Sequence, residues 1–309
     1  MLAIERISDL PDGFAETAVT IGKFDGIHLG HKKLLSNLVA AADEHMLASV
    51  VVTFDRHPDA LFKPESAKLP LIGPGQKLVH LEESGVDAVL TLPFDHEFAA
   101  LAARDFVQQI LVEGLHARLV LVGEDFRFGA GGAGTPETLK VLGAEFGFVV
   151  RVIGSANIDG VKVSTTRIRE LLDQGDVTKA AELLGRNHYS AGVIEHGLKI
   201  GRTIGFPTAN MTRECEGYLP LDGVYAGWLY ADGEKYPAAH SVGINETFQA
   251  VPRLVESHVI DRVDLDLYDK FVVLEFVAFI RPAAKFDGVD ALVEEIHRDL
   301  DKCRKILEI

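Results

Sequence analysis

At 309 residues, with 47% hydrophobic and 25% charged residues, the chain is large enough for two cores and its makeup excludes a disordered polymer. A formal net charge of −15 at pH 7 excludes broad binding to nucleic acid or to anionic membranes, while leaving room for a local phosphate pocket. Cys215 and Cys303 are too far apart for a disulfide framework or a cysteine metal site, no run approaches a membrane span, and the N-terminus has no basic segment leading into an apolar core, so a cytoplasmic protein is expected.

Short apolar, β-branched runs recur at Ala18–Ile21, Ser49–Phe54, Asp87–Leu92, Leu119–Val122 and Phe148–Ile153. Helical patterns lie between them, from His31 onward (Leu34, Leu35, Leu38, Val39) and at Gln76–Glu83, Ala102–Leu111 and Glu137–Phe146. Thr135-Pro136 supplies a cap and a helix-start proline for the last of these. This alternation predicts an α/β unit, a parallel Rossmann-like sheet with helices on both faces, whose ligands bind beyond the carboxyl ends of the strands.

The polar, glycine-rich segments fall at those ends. After the first strand comes GKFDGIHLGH, in which Gly22 and Gly26 mark a turn and His28 and His31 flank Gly30 at a helix start. Three-residue spacing places both imidazoles on one face, beside the unpaired N–H groups that favour an anion there, and Gly30 lets a phosphate approach the backbone. Two solvated histidines in a turn would give the same four letters, but placement after a strand favours the anion reading. After the second strand, Asp55-Arg56-His57-Pro58 could set His57 over a phosphate, although alone it reads better as a polar turn closed by proline. GEDFRFGAGGAG after the fourth strand can wrap a nucleotide or serve as a plain connector, and Asp125, Phe126 and Phe128 favour the first. Ser164-Thr165-Thr166-Arg167-Ile168-Arg169 opens a helix with hydroxyls at its cap and two cations in its first turn, where cations oppose the helix dipole unless an anion sits between.

A further helical segment, Asp176–Arg186, leads out of the first domain, so the expected domains are 1–185 and 186–309. Beyond Gly185 the pattern becomes strands joined by turns: Tyr189–Ile194, Val224–Tyr230, Tyr236–Val242, Val255–Ile260 and Phe271–Phe279, with an Asp232-Gly233 hairpin signal. These predict a small antiparallel β-barrel. Val289, Leu292, Val293, Ile296, Leu300 and Cys303 share one face of a helix expected to cover it. Within GLKIGRTIGFPTAN, Gly201 and Gly205 permit tight turns, while Thr208 and Asn210 alternate on an extended segment and could offer oxygens to Mg2+; a hairpin loop would also contain such residues.

Taken together and in order, IGKFDGIHLGH, VTFDRHP, VGEDFRFG and VSTTRIRELL resemble the FAD synthetase (FMN adenylyltransferase) module of prokaryotic bifunctional riboflavin kinase/FAD synthetases. GLKIGRTIGFPTAN, LPLDGVYAGW, VGINETF, VESHVIDR and IRPAAKFD resemble the riboflavin kinase module of the same family. The resemblance implies ATP-dependent phosphorylation of riboflavin to FMN, then adenylylation of FMN to FAD with release of pyrophosphate. It implies Mg2+ as cofactor, and riboflavin, FMN and ATP as the partners, with neither nucleic acid nor membrane and only weak or transient self-association. For adenylylation it implies His28 and His31 as catalytic residues and Gly22, Phe24, Gly30, His57, Asp125, Ser164, Thr165 and Arg169 as ATP- or phosphate-binding. For the kinase it implies Glu256 as the base facing the ribityl hydroxyl, Gly201, Gly205, Pro207, Thr208, Asn210 and Arg281 as ATP- or flavin-binding, and Thr208 and Asn210 as Mg2+ ligands. Departures occur at Arg56 (often proline), Thr165 (often serine), Glu246 (usually proline) and Asp269 (usually glycine). The last two keep a rival open, a monofunctional FMN adenylyltransferase with a kinase-inactive, flavin-sensing barrel.

Overall fold

A computed structural model describes residues 1–11, 13–196, 201, 204–243 and 253–309. They form two compact units, Met1–Ser164 and Thr165–Ile309. Division at Ser164 precedes the expected boundary at residue 185 for a physical reason. The helices Thr165–Asp173 and Val177–Leu184 bury Ile168, Leu171, Leu172, Val177, Ala180, Leu183 and Leu184, pack on each other, and lay the second helix against strands of the second unit.

The first unit holds a six-stranded, all-parallel sheet in the order β1-β4-β3-β2-β5-β6. Its strands are β1 (Leu2–Ile4), β2 (Thr17–Ile21), β3 (Ala48–Phe54), β4 (Ala88–Leu92), β5 (Ala117–Gly123) and β6 (Val149–Ile153). All five expected runs are strands, and β1 adds an edge too short to announce itself. Alternate side chains feed two cores: Val19, Ile21, Val50, Val52, Val120 and Val122 on one face, and Ala18, Val51, Val89, Leu119 and Leu121 on the other. A strand buried on both faces reads as a continuous apolar run, which is how β2 reads. Helices α1 (Leu29–His45) and α3 (Pro74–Glu83) cover the second face, and the helix Pro136–Phe146 covers the first. The short α2 (Pro58–Phe62) follows β3. The expected helix at Ala102–Leu111 is α-helical only over Ala103–Phe106 and continues as a π-helix over Val107–Gly114, which keeps Val107, Ile110 and Leu111 in the core. A small hairpin, β7 (Asn157–Ile158) with β8 (Val161–Lys162), ends this unit.

The second unit is built on a closed antiparallel barrel in the order β10-β13-β12-β11-β14-β9. Its strands are β9 (His188–Glu195), β10 (Ala209–Met211), β11 (Gly223–Ala231), β12 (Glu234–Gly243), β13 (Leu254–Val259) and β14 (Phe271–Pro282). Asp232 and Gly233 take φ of 52° and 82°, the paired left-handed values of the hairpin turn that the sequence signals. The last helix, Val289–Leu307, seats Val293, Ile296, Leu300, Cys303 and Leu307 against Ala226, Trp228, Ala239 and Val277 on the barrel's outside. Val289, expected on that face, is 46% exposed, so the packed stripe begins one turn later.

Two histidines fill the barrel interior. His240 is fully buried, its Nε2–H donating to the Glu275 carbonyl at 3.2 Å and its Nδ1 accepting from the Ser257 hydroxyl at 2.9 Å. His188 donates from Nε2 to the Tyr218 carbonyl at 2.6 Å. Burial pushes both imidazoles down from 6.5 to about 4, so they fold as neutral rings. Above pH 6.5 neither state is charged and the stability is complete; as pH falls from 6.5 towards 4 the unfolded chain takes up protons first and stability is lost. Each ring is expected to cost up to about 3 kcal/mol across that window. Urea midpoints measured between pH 7.5 and 4.5 should therefore fall, and His240→Gln should flatten the dependence. A midpoint that does not move with pH would refute the neutral-core assignment.

Candidate active sites

The strand order reverses between β2 and β5, and the crevice beyond their carboxyl ends is where an open parallel sheet binds a ligand. The turn from β2 into α1 lies there. Phe24, Gly26 and Ile27 take φ of 48°, 84° and 37°. A β-branched residue in that region is strained, and such strain persists only where packing enforces it; Phe24 and Ile27 are both buried. The turn ends on His28, which is the N-cap of α1. Its Nδ1 accepts from the N–H groups of Gly30 at 3.2 Å and His31 at 3.4 Å, so the ring hydrogen sits on Nε2. Gly30 suits the position because a Cβ there would stand 3.0 Å from the His28 ring, a tight contact that the ring would have to yield to. His31 stacks on His28 with centroids 3.8 Å apart and planes 15° apart, and Phe24 flanks it at 5.2 Å. Desolvation, with the adjoining His28 ring and the Lys77 charge, holds His31 well below the usual imidazole value. Its Nδ1 is buried with no hydrogen-bond partner among the described residues. The two rings are thus hydrogen-bonding groups over a helix N-terminus.

Around this turn, Asp25 is buried and its Oδ1 accepts from Leu71 N at 2.7 Å, tying the segment before α3 to the site. Lys77 on α3 donates to the Phe54 carbonyl at the end of β3, at 3.2 Å. His57 occupies the N-cap of α2 with its Nε2 2.9 Å from Lys23 Nζ, so it stands at the end of the strand next to β2. Asp125, on the loop after β5, is exposed and paired with Lys162 at 2.7 Å, which holds its carboxyl below the usual range. The glycines of that loop have an internal reason: a Cβ at Gly129 would meet the Ala103 backbone at 2.7 Å and one at Gly134 the Phe128 ring at 2.6 Å. Thr165 and Arg169 lie on a helix of the second unit, Arg169 buried with its guanidinium 5.9 Å from the centre of the Tyr218 ring. The structure therefore gathers Gly22, Phe24, Gly30, His28 and His31 in one turn, with His57 at the neighbouring strand end.

Sequence reading passed over Asp25, Lys77 and an aromatic run. Phe54 meets Phe94 at 5.4 Å and Phe98 at 5.6 Å, and Phe94 meets Phe62 at 6.3 Å. Phe62 is 58% exposed, so the run leads from the core to the surface. The spacing Phe94-x-x-x-Phe98 was the one local signal for it.

In the barrel the register makes the second site. Asn210 pairs with Glu256 on one side and Glu195 on the other, and Glu256 pairs with Ser241. Directly paired residues share a face, here the outer one, because Ala209, Met211, Val255 and Ser257 are buried inside. Thr208 precedes Asn210 by two residues and so follows the same alternation. His258 Nδ1–H donates to the Pro207 carbonyl at 2.8 Å, and Phe206 lies edge-on to His258 and to His297 of the last helix, which fixes the chain just before Thr208. An open depression, about 420 Å3 with its solvent, is lined by Thr208 and by the inner-side residues Ala209, Ser257 and Val259 with Leu267 and Tyr268, and not by Asn210 or Glu256. Hydroxyl and amide oxygens beside a carboxylate suit Mg2+, a hard cation that takes few protein ligands and completes its shell with water and phosphate. Arg281 is engaged elsewhere, its Nε 2.8 Å from the buried Asp299 on the last helix.

Asp269, the departure from glycine, takes φ of 61°. The loop therefore keeps the left-handed conformation that glycine supplies, and aspartate tolerates it. Its N–H donates to Ile194 O at 2.9 Å, and its carboxylate lies 3.7 Å from His196, which stacks on Tyr268 at 4.2 Å. Glu246 and most of Gly197–Thr203 lie outside the described residues.

Two family models match the chain, FAD synthetase over residues 11–167 and riboflavin kinase over residues 184–307. The bifunctional riboflavin kinase/FMN adenylyltransferase of Escherichia coli (strain K12) is 36% identical over 97% of this chain and 96% of its own length. The enzyme of the same description from Haemophilus influenzae is 36% identical over 93% of each. A crystal structure described as a macrolide-efflux protein from Streptococcus pneumoniae superposes with a TM-score of 0.87, at 32% identity and 98% coverage of both chains. No helix among the described residues is long and apolar enough to cross a membrane. With both modules present in order and the likeness running nearly end to end, the chain belongs to the bifunctional riboflavin kinase/FMN adenylyltransferase family.

Proposed function

We propose that the barrel transfers the γ-phosphoryl group of ATP to the terminal ribityl hydroxyl of riboflavin at the Asn210–Glu256 pair, and that the parallel-sheet unit adenylylates FMN at the His28–His31 turn. The observation that carries the first assignment is the register that sets a carboxylate directly opposite an amide oxygen on one face of the barrel. In that step Glu256 accepts the hydroxyl proton as the oxygen bonds to the γ-phosphorus and ADP leaves. The transition state is loose and the proton departs late, so placement of the hydroxyl matters more than the basicity of the carboxylate. Thr208 and Asn210 would hold Mg2+, which neutralises charge on the transferring phosphates.

In the second step an FMN phosphate oxygen attacks the α-phosphorus of ATP, the bond to the bridging oxygen breaks and pyrophosphate leaves. His28 and His31 donate hydrogen bonds to the charge that builds on the phosphoryl oxygens, from positions already fixed by the cap and the stack. The exposed end of the aromatic run, Phe62 with Phe94, offers a flat apolar surface for the flavin ring. Ser164, Thr165 and Arg169 take the departing phosphates. By sequence the adenylyl-transfer module reaches residue 185 and includes the two helices that pack with the second unit, and both reactions belong to the cytoplasm.

Three measurements test these assignments. In a chromatographic time course with riboflavin, ATP and Mg2+, FMN should appear first and FAD after it; riboflavin left untouched while added FMN becomes FAD would remove the kinase assignment. Alanine at His28 or His31 should lower FAD formation from FMN by about 10²- to 10³-fold, the usual loss for one oxyanion donor, with riboflavin phosphorylation unchanged. Glu256→Gln should do the converse, slowing phosphorylation by about 10²- to 10⁴-fold while FMN adenylylation continues. Equal loss of both activities in any of these variants would refute separate sites.

A further inference from the structure

The two-histidine turn has a charge deficit. His31 is neutral, and a stacked, capping His28 offers a hydrogen bond with no fixed charge, yet a nucleotide triphosphate brings several negative charges to whatever holds it. A cation is supplied in the first unit by α3. Lys77 sits one turn into that helix, and its half-buried side chain reaches the carboxyl end of β3, where Nζ donates to the Phe54 carbonyl at 3.2 Å. A carbonyl orients the ammonium and brings no counter-charge. That strand end borders the two-histidine turn, since Gly22 N donates to the Val52 carbonyl at 3.0 Å and the Thr53 hydroxyl to the Lys23 carbonyl at 3.3 Å, and the Lys77 charge helps hold His31 neutral.

The surrounding carboxylates do not consume this charge. Asp55, which faces Lys77, is bound to Arg56 at 3.0 Å and to Phe94 N at 2.8 Å. Asp25, the other, accepts from Leu71 N and faces two ammonium groups, since Lys23 shares it with Lys77. Lys23 has Asp59 as its first counter-charge, so Asp25 and Asp55 are each shared with other partners, while Lys77 itself is hydrogen-bonded to a carbonyl. Desolvation lowers both lysines, which is the strain an arriving phosphate oxygen would relieve.

We propose that Lys77 is a substrate-binding residue of the adenylyl-transfer centre, presenting its ammonium beside the stacked histidines to a phosphate oxygen of the nucleotide. This rests on the assignment of His28 and His31 to that reaction. Lys77→Met and Lys77→Arg in the full chain separate the possibilities, with FMN adenylylation measured against ATP concentration and riboflavin phosphorylation followed in the same samples. Loss of one charge-assisted contact should raise the KM for ATP in Lys77→Met by about 10- to 100-fold, with the KM for FMN unmoved. Lys77→Arg should stay within about threefold of the parent, because charge is what the site needs. A wild-type KM for ATP in Lys77→Met overturns the inference, and so does equal loss in Met and Arg, which would mark a purely structural lysine. If His28→Ala keeps full adenylylation, the site assignment falls and Lys77 falls with it; if His28→Ala is inactive and Lys77→Met is wild type, only the lysine inference fails.

Discussion

The first unit depends on one hydrogen-bonding arrangement, the His28 ring capping α1. Helix N-termini leave backbone donors without partners, and most chains satisfy them with a short hydroxyl or carboxylate. Here an imidazole does so, accepting from Gly30 and His31 through Nδ1. That choice fixes the tautomer and brings the His31 ring into the stack. It also favours a glycine at position 30, where a side chain would crowd the ring. The cap closes a turn whose backbone is strained at Phe24 and Ile27, and the core on the α1 side of the sheet, to which both side chains belong, holds that strain in place. The atoms that fold the turn are thus the ones proposed to carry its chemistry.

The barrel obeys a different constraint, closure. Six antiparallel strands with no free edge fix every cross-strand neighbour, so Asn210 and Glu256 meet because the register admits no other pairing for that face. The interior holds two histidines, His240 bonded through both ring nitrogens and His188 through Nε2, and they remain there as neutral polar groups. The proposed catalytic polarity, Asn210 with Glu256, is on the outer face, and the structural polarity of His240 with Ser257 is on the inner one. The last helix closes the outer face over Ala226, Trp228 and Ala239 and positions Phe206 ahead of Thr208.

Departures from the family pattern are informative where the backbone is visible. A glycine replaced by aspartate at position 269 suggests a shifted loop when only letters are compared. The φ of 61° shows that the loop conformation is retained and that the substituent is one of the few that tolerate it. The glycine-rich loop after β5 teaches the opposite lesson. Gly129 and Gly134 invite a nucleotide on paper, but each already has a close neighbour in Ala103 or Phe128 that excludes any side chain.

By itself the sequence determined the periodic features: the five β-branched runs of the parallel sheet, the helices that follow them, the Asp232-Gly233 turn, the barrel strands and the amphipathic last helix. These are legible because burial imposes a period of 2.0 or 3.6 on adjacent letters. The linked motifs also placed His28 and His31 at a helix start, Thr208 and Asn210 on an extended segment and Glu256 within a strand. Tertiary structure alone decided which distant letters meet. The opposition of Asn210 and Glu256, the approach of Lys77 to the β3 end, the tie from Asp25 to Leu71, and the packing of the helices after Thr165 with the barrel all depend on chain closure over tens of residues. Periodicity is a local consequence of burial, whereas these contacts follow from register and topology, which no short window of sequence contains.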